Sequence, residues 1–143
     1  MNKMTTDIIL NDIETWRICL NINKEIFSEI KINGKIGILP RNSDGSEGST
    51  IQVWEILEDS IRVSLQPFLG FRDASADLIF LLESSALEEI YRHLKNELLI
   101  GLRKQIRHGK ALLFLMKGRD YLIDMGYEEL IEYLGIPCLG TCH

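Results

Sequence analysis

The stretch from Ser84 to Gly109 constrains the chain most, because its start, its stop and its faces can all be read. Ser85-Ala86-Leu87-Glu88 fits a capping box, in which the serine hydroxyl accepts from the N–H of position 88 and the glutamate reaches back to the serine N–H. Arg103, Lys104, Arg107 and His108 gather just before Gly109. Cations there suit the negative end of a helix, and glycine suits the left-handed residue that closes it. Between these signals Leu87, Ile90, Tyr91, Leu94, Leu98 and Leu102 recur at the three-and-four spacing of one helical face. The spacing predicts a single amphipathic helix over 85–108, about 35 Å long at ~1.5 Å per residue.

A chain of 143 residues with 45% hydrophobic and 26% charged side chains has the makeup of one globular domain over 1–143. The first thirty residues hold no continuous apolar stretch of signal-peptide type, and no apolar run approaches a membrane span. The reading is therefore cytoplasmic with no membrane partner. Three cysteines, an odd number, argue against a disulfide framework. The net charge of −5 is unevenly spread: residues 1–90 carry 8 basic and 15 acidic side chains, net −7, whereas residues 91–120 carry 8 and 2, net +6. The basic third coincides with the second half of the long helix and the dozen or so residues after it.

In chain order, residues 1–14 are ambiguous, ending at Asn11 and Asp12 as a turn or cap. Thr15 to Ile22 alternates, with Trp16, Ile18, Leu20 and Ile22 on one face, as a half-buried strand would. Ile26 to Ile32 repeats the alternation, and Asn33-Gly34 invites a hairpin with an odd-length loop or bulge. Pro40 ends the next strand. Residues 41–50 hold only Arg, Asn, Ser, Asp, Gly, Glu and Thr, a flexible loop. A second hairpin spans 51–65, after which Phe68 to Ala76 connects, its two phenylalanines docking on the sheet. The unbroken run Leu78 to Leu82, the long helix and the run Ala111 to Met116 read as a parallel strand-helix-strand crossover. A helix through Leu112 to Asp124 competes with the last of these strands. A closing helix carries Tyr127, Leu130, Ile131 and Leu134 and stops at Gly135 and Pro137. The expected fold class is α+β in two layers: a mainly antiparallel sheet, a meander of about five strands, then a strand-helix-strand unit and a C-terminal helix.

Two features of the helix bear on function. Arg92, Arg103 and Arg107 lie roughly opposite the apolar stripe and form a basic ridge, for an acidic partner or for nucleic acid. Against that, a solvated helix back explains the same charges. Leu99 and Ile100 sit off the stripe, where a one-faced surface helix carries Lys or Glu, as if the helix touched protein on two sides. The tail Cys138-Leu139-Gly140-Thr141-Cys142-His143 holds two thiols and an imidazole, but a structural zinc site needs four ligands and no other cluster supplies the rest. Its spacing resembles a loose c-type haem attachment site, whose chemistry needs an export signal. Cys138, Cys142 and His143 therefore read as a frayed tail over 136–143, with metal a minor alternative and no cofactor implied.

Catalytic sets are missing from the sequence. No Gly-rich loop leads into Lys and a helix, and the loop around Gly45 and Gly48 carries Asp44 and Glu47, the wrong charge for a phosphate cradle. The balance falls against an enzyme. The residues favour a non-enzymatic protein-binding module, an adaptor, regulator or assembly factor that works through helix 85–108 by self-association or by capture of a protein partner. One alternative is a nucleic-acid-associated protein using Arg92, Arg103, Arg107 and Lys110. Another is a small-molecule binder, or an unrecognised enzyme, with its pocket between sheet and helix.

Overall fold

One five-stranded sheet organises the chain, in the order β3-β2-β1-β4-β5. The structure, a computed structural model, describes residues 3–42 and 44–135. Its strands are β1 (Lys35–Arg41), β2 (Thr50–Ile56), β3 (Ile61–Pro67), β4 (Leu78–Glu83) and β5 (Ala111–Leu115). Six α-helices are present among the described residues: α1 (Lys3–Asn11), α2 (Ile13–Ile22), α3 (Ser84–Arg92), α4 (Leu98–Arg107), α5 (Arg119–Met125) and α6 (Glu128–Tyr133). The class is α+β as expected, but the sheet is mixed, because β1 pairs parallel with β4 while the other neighbours are antiparallel.

The N-terminal strands are the largest correction. Thr15 to Ile22 is helical, within α2, and 26–32 follows a 3-10 turn at Lys24–Phe27. Trp16 and Leu20 are buried one turn apart, whereas Ile18 and Ile22 are 45% and 59% exposed. The real period is therefore 3.6, and half of the apparent alternation faces solvent. Asp12 caps the helix by accepting from the Thr15 N–H at 3.4 Å. Its carboxyl is held below the usual range, first by the Tyr91 hydroxyl that donates to it and then by Thr15. Without a strand over 26–32 there is no hairpin at Asn33-Gly34, which instead makes the turn into β1.

The 85–108 helix is also corrected. It breaks at 93–97 into α3 and α4. Leu94, inside the break, is buried, and Asn23 at the end of α2 donates to the Lys95 carbonyl at 2.8 Å. The capping box does not form. The helix begins at Ser84, whose hydroxyl accepts from Thr6 at 3.0 Å, and Glu88 pairs with Arg92 instead of reaching back. The break reverses the expected topology as well. One helix would return the chain for a parallel strand, but a helical hairpin brings it back to the end it left, so β5 joins β4 antiparallel at the sheet edge. Gly109 does close the second helix, at φ +74°. Residues 111–124 hold both a strand and most of α5, and the closing helix is two helices parted at Gly126.

Both faces of the sheet are covered. Trp16, Leu20, Trp54, Phe80 and Leu87 belong to the core on the helical side. Leu39, Ile51, Val53, Ile79 and Leu81 face the other way, against the 68–76 connection. Phe71 stands 5.2 Å from Phe68 and 4.7 Å from Phe114 between ring centroids, so the expected docking of the two phenylalanines is observed. Leu78 to Leu82 is buried throughout, as its unbroken apolar run implies.

Two positions in this fold make stability predictions. Gly126 has φ +91°, and a Cβ there would lie 1.8 Å from the Glu29 carbonyl oxygen. Gly126→Ala should therefore cost about 3 kcal/mol or more in urea unfolding, combining left-handed strain with overpacking. Gly109→Ala, at φ +74° in open space, should cost only about 1–2 kcal/mol. Tyr127 is fully buried and donates to Asp77 Oδ2 at 2.6 Å. Burial first, and the bond to Asp77 second, push its hydroxyl far above the ordinary tyrosine range. An acid whose folded pKa is raised gives stability that is whole below the unfolded value, about 10, and is lost as pH rises past it. Stability of the wild type should fall as pH climbs above ~10, and Tyr127→Phe should flatten that fall while losing about 1–3 kcal/mol at pH 7.

Candidate functional site

A cleft of about 690 Å³ opens where the chain between α2 and β1 meets the β2–β3 hairpin. One wall is the segment from Lys24 to Ile32, and the other is the end of β2, the 57–60 turn and the start of β3. Its lining includes Phe27, Ile30, Ile56 and Ile61, all buried, and Ile32, 51% exposed. The polar lining comprises Lys24, Glu25, Lys31, Glu58 and Asp59, with the hydroxyls of Ser28 and Ser60.

Local chemistry explains why the two walls stand where they do. The Asn21 amide bridges Ile61, accepting from its N–H and donating to its carbonyl, each at 2.9 Å, so the last turn of α2 is tied to the edge of β3. The Lys24 ammonium donates to the Asp59 carbonyl at 3.0 Å across the mouth. On the inner side Asn33 and Gly34 exchange backbone hydrogen bonds with Ile56 at 2.8 Å. Phe27 sets its ring at 68° to Trp54, centroids 6.0 Å apart, beneath the cleft. Polar ties therefore frame an apolar floor. No histidine or cysteine lines the cleft, so its two serines have no base of that kind beside them, and the arrangement is suited to holding a molecule by desolvation.

The residues singled out from sequence lie elsewhere. Arg92, on α3, pairs with Glu88 at 2.7 Å and Glu89 at 3.4 Å. Arg103 and Arg107 are on α4, past the break, and the Arg103 guanidinium lies 5.4 Å from the Tyr133 ring centre. No single rod presents all three as a ridge. Leu99 is partly buried against the helical core, while Ile100 is 56% exposed. Cys138, Cys142 and His143 lie outside the described residues. Among the described residues no group of three His, Cys, Asp or Glu could hold a metal, and no helix is long and apolar enough to cross a membrane. The cleft was missed because its walls lie some thirty residues apart in sequence; the only local signal was the isoleucine-rich run 26–32, read as a strand.

No protein-family model and no curated protein matches the sequence. Solved structures with similarity include sterol carrier protein 2 from Yarrowia lipolytica in its apo form, at 13% identity over 94% of each chain, TM-score 0.47. A conserved hypothetical protein of Thermus thermophilus, titled as possibly a sterol carrier protein, shares 13% identity over 87% of this chain and 86% of its own, TM-score 0.46. The UbiJ-SCP2 ubiquinone synthesis protein shares 16% identity over 94% of this chain and 96% of its own, TM-score 0.46.

The adaptor reading is corrected. The continuous rod on which it stood is two helices, Arg92 is neutralised by its own helix, and Leu99 packs inward. None of the three similar structures is titled as an adaptor or regulator. The two off-stripe residues should separate on substitution. Leu99→Lys should lower stability by about 1–3 kcal/mol in chemical denaturation, and Ile100→Lys should stay within about 0.5 kcal/mol of wild type.

Proposed function

We propose that this protein binds a small, largely apolar molecule in the cleft between the 24–32 segment and the β2–β3 hairpin. The observation that carries this reading is the cleft itself: about 690 Å³, with the buried side chains of Phe27, Ile30, Ile56 and Ile61 along it and charge among the lining. That volume lies within the ~300–1,000 Å³ of small-molecule sites, and an apolar lining with a few polar groups is their usual composition. Binding strength would come from apolar contact. At ~0.8 kcal/mol per buried methylene, set against ~4 kcal/mol or more of association cost, ligands with fewer than about ten carbons are held weakly.

Ser28 is exposed and lines the cleft, so it can be enlarged without touching the core. Titration with the neutral fluorophore N-phenyl-1-naphthylamine should give saturable enhancement in the wild type. Ser28→Trp should weaken it at least ~10-fold, the loss of about 1.4 kcal/mol of contact, with the circular dichroism spectrum unchanged. Equal affinity in a folded Ser28→Trp protein would place the apolar site somewhere other than this cleft.

A further inference from the structure

We infer that the cleft's preferred occupant is a cationic amphiphile, an alkyl chain ending in an ammonium group. The inference rests on the cleft-binding reading above and adds the charge of the head group. Three carboxylates and two ammonium groups line the cleft, and they are unevenly placed. Glu58 and Asp59 stand on the hairpin wall, whereas Lys24, Glu25 and Lys31 stand on the other.

The hairpin wall is acidic and uncompensated. Among the described residues none of Glu25, Glu58 and Asp59 has a cation within ion-pair distance, although Glu55, on the same hairpin, is paired with Arg62. The Lys24 ammonium is directed at the Asp59 backbone carbonyl, not at a carboxylate. The surroundings have the same sign, since both walls fall within residues 1–90, which carry net −7. A ligand whose chain covers Phe27, Ile30, Ile56 and Ile61 would bring its head group out among these side chains. An ammonium at the hairpin wall gains from Glu58 and Asp59, an alcohol is indifferent to them, and a carboxylate is repelled. The groups are exposed, so the gain is modest and screened by salt.

Three ligands of one chain length separate the head group from the chain: dodecylamine, dodecanol and dodecanoate, each displacing N-phenyl-1-naphthylamine below its micelle concentration. The amine should bind about 5–10-fold tighter than dodecanoate at low salt, with dodecanol between them and the spread narrowing in 0.5 M salt. The double variant Glu58→Lys, Asp59→Lys should reverse the order of amine and carboxylate and leave dodecanol unchanged. Dodecanoate binding as tightly as the amine, while dodecanol still displaces the probe, would overturn the charge inference and leave the cleft reading intact. Failure of all three to displace the probe would overturn the cleft reading itself.

Discussion

The buried carboxylate of Asp77 fixes the geometry from which most of the fold follows. Asp77 accepts the Tyr127 hydroxyl at 2.6 Å and the Lys35 N–H at 3.1 Å, while its own N–H donates to the Lys35 carbonyl at 2.8 Å and its carbonyl accepts from Met116 at 2.9 Å. One residue thus joins the start of β1, the start of β4, the end of β5 and the residue that opens α6. A buried carboxylate is tolerable only with such partners, and with them it fixes a unique arrangement. The exchange with Lys35 sets the register in which Ile36 lies beside Leu78, the first pair of the parallel ladder. Beside it, Gly34 has no room for a side chain: a Cβ would come within 2.6 Å of Ile30 and 2.8 Å of the Tyr127 hydroxyl. Gly34 then pairs with Ile56, which lines the cleft. The polar centre of the sheet and the inner edge of the binding site are therefore two ends of one short chain of contacts.

The break between α3 and α4 has equally wide effects. Leu87, Ile90, Leu94, Leu98 and Leu102 are all buried, as a continuous stripe would have them, yet Leu94 sits in a turn. The apolar stripe is satisfied either way, and tertiary polar contacts decide between the two. Asn23 holds the Lys95 carbonyl, and the Asp12 carboxylate holds the Tyr91 hydroxyl, so α2 grips the helical hairpin on both sides of Leu94. With the hairpin set, β5 must return antiparallel, and the basic segment is divided between an ion-paired Arg92 and arginines on another helix.

Legibility in the sequence followed how local each determinant was. The β2–β3 hairpin, the doubly buried β4, the glycine closing α4 and the two phenylalanines under the sheet were all readable, because alternation, unbroken apolar runs and turn residues act over a few positions. Thr15 to Ile22 was not, because Trp16, Ile18, Leu20 and Ile22 satisfy a period of two and Trp16 and Leu20 alone satisfy a helical one. Only the exposure of Ile18 and Ile22 separates the two, and exposure belongs to the fold. Asp77 could not announce its role, since its partners lie 42 and 50 residues away. The cleft was hidden for the same reason: Phe27 and Ile30 meet Ile56 and Ile61 only after the sheet exists.

An open apolar cleft invites collapse, since closing it would remove Ile32 and the floor from water. The frame resists because its ties are polar and short. The Asn21 amide already spends both its donor and its acceptor on the Ile61 backbone, and Lys24 spans the mouth to Asp59. Moving the hairpin inward would break these bonds and the Asn33 and Gly34 pairs with Ile56, leaving backbone groups without partners near an apolar surface. Collapse would therefore exchange several hydrogen bonds for a modest apolar gain, while a ligand supplies the same gain with every bond intact. The cleft is in that sense preorganised, and its selectivity is left to the side chains that take no part in the frame.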